Sequence, residues 1–229
     1  MPTIIEPTKP DIERSVLLNQ IGYENSNPLS CSTDKKIEKW EKGFTKLITP
    51  SLIYKTHKIK NLGHSLQLEN NTVLNSPILA KVMQECNKIV CFLATIGNRI
   101  DHEIIRLTDQ KCSSEAYILD TIGSMAVEKI VNDFQNRIKA KMRAQNGTTT
   151  LRMSPGYCDW PIQEQKKLFS LLDAGKIGVC LSDACLMQPR KTISGIFGIQ
   201  PHTADKNIYN PCDTCRKSRC PTRRTGMRN

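Results

Sequence analysis

Arg152-Met153-Ser154-Pro155-Gly156-Tyr157 places a cation, a tight turn and an aromatic ring within six residues. The planar guanidinium of Arg152 can grip a carboxylate through two parallel hydrogen bonds, which a lysine imitates poorly. Pro155-Gly156 is a turn signal in which glycine adopts dihedrals closed to other residues and lets a ligand come close to the main chain. Tyr157 adds a ring face for a cation or a stacked base, and a hydroxyl for a hydrogen bond. The same six residues also read as an ordinary Pro-Gly turn between a surface arginine and a core tyrosine.

A second cluster lies near the C-terminus, in Cys212-Asp213-Thr214-Cys215-Arg216-Lys217-Ser218-Arg219-Cys220-Pro221. Cys212, Cys215 and Cys220, the first two spaced C-x-x-C and the last followed by proline, suit an iron-sulfur cluster or zinc. The fourth ligand would come from Cys158, Cys180 or Cys185, or from outside. Arg216, Lys217 and Arg219 would stabilise the thiolates. A basic tail of free thiols and a regulatory disulfide are the alternatives. His57, His64, His102 and His202 are scattered and form no motif.

The elements that must position these residues follow from periodicity. Residues 11–22 read as an amphipathic helix, 24–33 as a loop, and Lys35 to Leu47 as a second helix. Ser51 to His57 reads as a strand and Ser76 to Glu85 as a helix with Ser76 as its cap. The apolar run Ile89-Val90-Cys91-Phe92-Leu93-Ala94 predicts a buried central strand over Lys88 to Ile96. A helix from Arg99 to Arg106 precedes a long one from Ser113 or Ser114 to about Arg143. Ala116, Leu119, Ile122, Gly123, Ala126, Val127, Ile130, Val131 and Phe134 form the apolar face of that long helix. Asn146-Gly147 breaks it. A helix over Gln163 to Ala174, a strand over Ile177 to Ser182 and a strand of alternating burial over Thr192 to Ile199 complete the reading. Helices and strands mix without regular β-α-β alternation, which favours an α+β fold.

Composition bounds the function. The chain has 229 residues and is 38% hydrophobic, enough for one sizeable core. It shows no signal peptide and no apolar run of the roughly 18 residues that a membrane span needs, which predicts a cytoplasmic protein without membrane attachment. In that reducing compartment ten unevenly spaced cysteines read as buried thiols or metal ligands instead of disulfides. The net charge of +11 is dense only at Lys55 to Lys60 and Arg216 to Arg228, and aromatic residues make up 5%. No stacking platform for nucleic acid is visible, so the charge reads as a solvated surface or a docking face for an acidic protein.

Beyond the hexapeptide the pattern continues. A helix-like stretch leads to Ile177-Gly178-Val179-Cys180-Leu181-Ser182 and then to Met187-Gln188-Pro189-Arg190-Lys191-Thr192-Ile193-Ser194-Gly195. This order and spacing resemble the activation domain of cobalamin-dependent methionine synthase, with its Arg-x-x-x-Gly-Tyr and Met-x-Pro-x-x-Ser-x-Ser-Gly elements. Here Thr192 stands for the first serine. Weaker similarity extends upstream through Ala94-Thr95-Ile96-Gly97 and through Asp120 to Glu128.

The resemblance implies an α+β fold with a twisted, mainly antiparallel sheet and flanking helices, over residues 1–205, followed by a basic Cys-rich tail over 206–229. It implies that Arg152, Gly156, Tyr157 and the main chain at Met153 contact S-adenosylmethionine. An acidic residue of the long helix, Glu128 or alternatively Asp120, would meet the ligand's ammonium. The implied chemistry is reductive methylation, in which a reduced redox protein supplies an electron to oxidised cobalamin and S-adenosylmethionine supplies the methyl group. The chain departs from the family where Cys158-Asp159-Trp160-Pro161 replaces a proline and an acidic-His pair, and it has no Asp-x-His-x-x-Gly cobalamin signature. These features predict a free-standing protein acting on a separate corrinoid-binding methionine synthase or methyltransferase. A metal-containing electron-transfer or corrinoid-binding accessory protein without S-adenosylmethionine binding is the alternative. A nucleic-acid-binding zinc protein is the third reading.

Overall fold

A computed structural model describes residues 1–23, 29–201 and 210–212. In chain order its elements are β1 (Thr3–Ile5), α1 (Arg14–Gln20), α2 (Cys31–Gly43), β2 (Ser51–Leu62), β3 (Leu66–Leu68), β4 (Val73–Leu74), α3 (Pro77–Val82), β5 (Lys88–Thr95), α4 (Arg99–Asp109) and α5 (Ser113–Arg143). There follow β6 (Thr148–Thr149), α6 (Gln165–Leu171), β7 (Cys180–Leu181), β8 (Met187–Gln188) and β9 (Thr192–Gln200), with 3₁₀ turns at Phe44–Lys46, Ile162–Glu164 and Ala174–Ile177. Among the described residues the main sheet has seven strands in the order β4-β3-β2-β5-β9-β6, with β1 on the free half of β2. Every neighbouring pair is antiparallel, so the expected α+β class and sheet type are present.

The central run of apolar residues is explained by its place in this sheet. Successive side chains of β5 point to opposite faces, and each face is covered. Val90, Phe92 and Ala94 pack with α1, α2, α4 and α5, whereas Ile89, Cys91 and Leu93 pack with α3, α6 and the segment around Met153 and Trp160. With helices on both sides no position from Ile89 to Ala94 can be polar at low cost. The long helix lies across the first face. Phe134 of α5 meets Tyr54 of β2 at 5.0 Å, Phe92 of β5 at 6.1 Å and Phe197 of β9 at 5.9 Å between ring centroids. Lys141 and Arg143 complement the dipole at the end of α5, and Asn146 turns the chain at φ 57°.

Three expectations need correction. Ile177 to Ser182 is not a six-residue strand: Ile177 ends a 3₁₀ turn, Gly178 caps it in the left-handed region at φ 67°, and only Cys180–Leu181 extends to pair with β8. Ile177 and Val179 are apolar because they fill the second core from irregular backbone. The strand at Thr192 does not alternate, because Ser194 to Gly198 lies between β5 and the edge segment with both faces covered. Finally, the helix expected over Gln163 to Ala174 is divided into a 3₁₀ turn, α6 and a second 3₁₀ turn, with Leu172 extended at the break. Among the described residues, no helix is long and apolar enough to cross a membrane.

Candidate functional site

The signature hexapeptide runs along the outer edge of the sheet. After β6 pairs with the end of β9, the chain continues antiparallel to it: the Thr150 amide donates to the Gly198 carbonyl at 3.0 Å, and Met153 and Ile196 exchange two bonds of 2.9 Å. Alternation along this edge sends neighbouring side chains to opposite faces. Met153 enters the second core, and Arg152 turns to the α5 face. There its Nη2 lies 2.9 Å from Glu128 Oε2, with the arginine side chain 14% exposed and the glutamate 54% exposed. The cation is thus rooted in the sheet edge and the anion stands on the helix rim. Of the two acids considered, Glu128 is the one brought to Arg152, and Asp120 pairs with Lys191 instead.

The turn that follows is closed by its own main chain. The Gly156 amide donates to the Trp160 carbonyl at 2.8 Å, and the Trp160 amide donates to the Tyr157 carbonyl at 3.0 Å. Gly156 has φ +91°, and a Cβ there would press on Ile162 at 3.2 Å, so this is a glycine position on both counts. Trp160 is sealed in the core while Tyr157 stands half exposed. Asp159 fastens the loop from below, accepting from the Ser76 hydroxyl and from the Ile78 amide at 3.0 Å at the start of α3.

The two motif segments interlock. Ser154 Oγ donates to the Ser194 carbonyl at 2.7 Å, and a Cβ on Gly195 would sit 2.8 Å from the Met153 carbonyl oxygen and 2.9 Å from Ser154 Oγ. The Ser-Gly that closes the second motif is therefore a close-approach site for the first. Thr192, in place of serine, keeps the hydroxyl in use: its Oγ1 lies 3.0 Å from Thr95 Oγ1, which also accepts from the Gly97 amide at 3.2 Å. Met153 already spends its amide and carbonyl on Ile196, so its clearest task is to fix the register of Arg152.

One turn and two turns before Glu128 on α5 stand Ser124 and Asp120. Lys191 Nζ reaches both, at 2.9 Å to Ser124 Oγ and 2.8 Å to Asp120 Oδ1. Lys191 stands in the second motif at a position the pattern leaves open, and its pairing with α5 depends on which strand lies beside that helix.

Of the expected metal ligands only Cys212 falls among the described residues, half-buried, with its amide donating to Asn210 Oδ1 at 3.1 Å. Cys215 and Cys220 lie outside them. Among the described residues, no group of three or more His, Cys, Asp or Glu side chains is gathered to hold a metal. Cys158 and Cys180 are exposed and Cys185 is buried. Burial pushes the thiols of Cys86 and Cys91 up to about 12, which keeps them protonated and makes them packing residues. His57, in β2, is buried, and desolvation, followed by the charge of Lys55, lowers its pKa.

The fold has counterparts among known proteins. Residues 55–210 match the family described as vitamin B12 dependent methionine synthase, activation domain. A solved structure described as "Crystal Structure of the MetH Reactivation Domain bound to AdoHcy" superposes with a TM-score of 0.65 and 14% sequence identity, covering 91% of this chain and 80% of that one. At that identity the likeness is one of fold. No curated protein matches the chain.

Proposed function

Because the chain belongs to the activation-domain family of vitamin B12-dependent methionine synthase, we propose that it binds S-adenosylmethionine at the Arg152–Glu128 edge and supports reductive methylation of cobalamin on a separate corrinoid protein. The observation that carries the reading is the ion pair itself. S-adenosylmethionine ends in a carboxylate and an ammonium, and Arg152 beside Glu128 is the complementary pair of charges where the sheet edge meets α5. The incoming carboxylate takes the guanidinium and the ammonium takes Glu128, so each protein charge exchanges one partner for another and neither is left bare. Gly156 keeps the floor of the turn free of a side chain, and the half-exposed ring of Tyr157 offers a face to the sulfonium or the adenine.

Bound there, S-adenosylmethionine is the methyl donor, and the electron comes from a reduced redox protein. What this chain supplies is orientation: it holds the head group of the donor so that the sulfonium methyl faces the partner's cobalamin. The basic surface fits the docking of an acidic protein. In the same reading the Cys-rich tail over 206–229 is a separate unit that holds iron-sulfur or zinc through Cys212, Cys215 and Cys220, a proposal supported by the C-x-x-C spacing.

Calorimetric titration of the anaerobically purified chain with S-adenosylmethionine tests the proposal. Saturable binding is expected, and Arg152→Ala should weaken it by about 2 kcal/mol or more, roughly thirtyfold. The decarboxylated analogue provides the control: Arg152→Ala should leave its affinity unchanged. Absence of binding by folded wild-type protein would reject the reading and favour a corrinoid-binding or electron-transfer accessory role.

A further inference from the structure

The outer edge of β2 is covered in two pieces. β1 pairs with Leu52 to Tyr54, and β3 pairs with Ile59 to Leu62 across a register shift between Ile59 and Asn61. His57 lies between the two pieces, on the face of Ile53 and Ile59 and opposite Ile89 of β5. Its side chain is 2% exposed, and its Nε2 is buried with no hydrogen-bond partner among the described residues. An imidazole placed in this way is tolerable while neutral and costly once charged.

The charges around it do not offset that cost. On β2 itself Lys55 repels an imidazolium. In the turn between β3 and β4, Glu69 Oε1 stands 4.0 Å from Nδ1, beyond hydrogen-bond reach, and at 47% exposure water screens it. β5 offers Cys91, whose thiol burial keeps protonated, and α3 offers Lys81, which is exposed. The 3₁₀ turn Ala174–Ile177, packed on β2, carries Lys176, which is paired with Asp173 at 3.1 Å. Desolvation first and Lys55 second therefore hold the His57 pKa below its ordinary value, with Glu69 opposing them.

An imidazolium at this position reaches an anion and water only by moving toward Glu69, and that displaces the end of β3, where the Glu69 amide donates to the Lys58 carbonyl at 3.0 Å. The β3–β4 hairpin is lightly held, since β3 has three residues and β4 two. From β4 the chain runs straight into the supports of the Tyr157 loop. Lys167 Nζ donates to the Val73 carbonyl at 2.6 Å, the Asn75 amide donates to Glu164 Oε2 at 3.1 Å, and Ser76 and Ile78 hold Asp159.

We infer that the β3–β4 hairpin is an acid-released latch: charging His57 frees the hairpin from β2 and, through Asn75 and Ser76, slackens the loop of Tyr157. The closed form binds the proton less readily than the open one. The stability contributed by neutral His57 is thus complete above about pH 6.5 and is lost as the pH falls below that value toward the lowered one. The latch is independent of which ligand the loop holds.

Hydrogen exchange of the full chain, read by mass spectrometry and corrected for the intrinsic pH dependence of exchange, tests this between about pH 7.5 and 5.5, above the ordinary carboxylate range. The opening of residues 59–75 should rise by about threefold to tenfold over that interval, and the opening of residues 158–164 should follow it. His57→Gln, neutral throughout, should abolish the rise in both segments, although His64, exposed in the turn between β2 and β3, is still present. Lys55→Gln should shrink the rise, because removing the repulsion brings the closed-state pKa back toward the ordinary one. A rise that survives in His57→Gln would overturn the latch. So would a His57 imidazole resonance in the wild type that titrates at or above about pH 6.5, a measurement that needs no variant to fold. A response at 59–75 with none at 158–164 would overturn the coupling to the Tyr157 loop.

Discussion

Arg152 and Gly195 show how much of the site is written residue by residue. Arg152 could have been a surface arginine beside an ordinary Pro-Gly turn, but the structure turns it toward a partner acid instead of the solvent. Gly195 is the opposite case. Nothing in its own dihedrals demands glycine, and a glycine inside a strand is normally a loss, so that alanine there should stabilise by about 0.5–1 kcal/mol. The close approach of the Met153 carbonyl at 2.8 Å reverses that sign. Gly195→Ala is expected to destabilise by about 1–3 kcal/mol through overpacking and to weaken S-adenosylmethionine binding as the Arg152 segment is pushed off β9. Urea unfolding with parallel titration checks both, and a more stable variant would show that the two motif segments are not in contact as described. Residue type together with the family resemblance singled out Arg152 and Tyr157 as candidates. It could not identify Lys191 or Ser154, whose roles depend on which strand lies beside which helix.

At the scale of elements, legibility followed length and covering. The 31-residue α5 and the strand β5 were readable because each has many apolar positions obeying one period or filling one run. The strands β3, β4, β6 and β8 have two or three residues each, too few for alternation to register. β6 matters most, since this short edge strand aims Arg152 at α5. The same blindness applied to Asp159, which was noted only as a departure from the family pattern. In the structure it joins two elements, capping the start of α3 beside Ser76 while closing the Tyr157 loop. Asp159→Ala should therefore cost about 1 kcal/mol, as the loss of a helix cap does, and should also reduce ligand affinity because the loop is no longer anchored. Ser76→Ala should reproduce the stability loss. An Asp159→Ala protein with unchanged stability and affinity would mean that the loop holds its shape through the Gly156–Trp160 bond alone.

For the whole molecule the question is whether one structure serves one task or two. The interlocked motif segments, α5 and the central strands form a continuous frame, and the family match over residues 55–210 stops short of Cys212. Everything proposed to touch S-adenosylmethionine lies between Glu128 and Tyr157, inside that frame. Cys215 and Cys220 lie beyond it, and the thiols buried within the frame are held protonated at Cys86 and Cys91 by burial. Ligand binding and metal binding are thus expected to be separable. Cys215→Ser should lose iron or zinc from anaerobically purified protein, measured by elemental analysis, while the affinity for S-adenosylmethionine stays as in the wild type. If both properties fall together, the tail is a structural part of the activation domain and the division near residue 205 is wrong. If the wild type carries no metal under the same conditions, the tail's thiols serve some other purpose and the electron must reach the cobalamin partner from a donor that binds elsewhere. The basic charge of the chain would then be the remaining guide to that donor, because association with an acidic protein slows steeply as salt screens it.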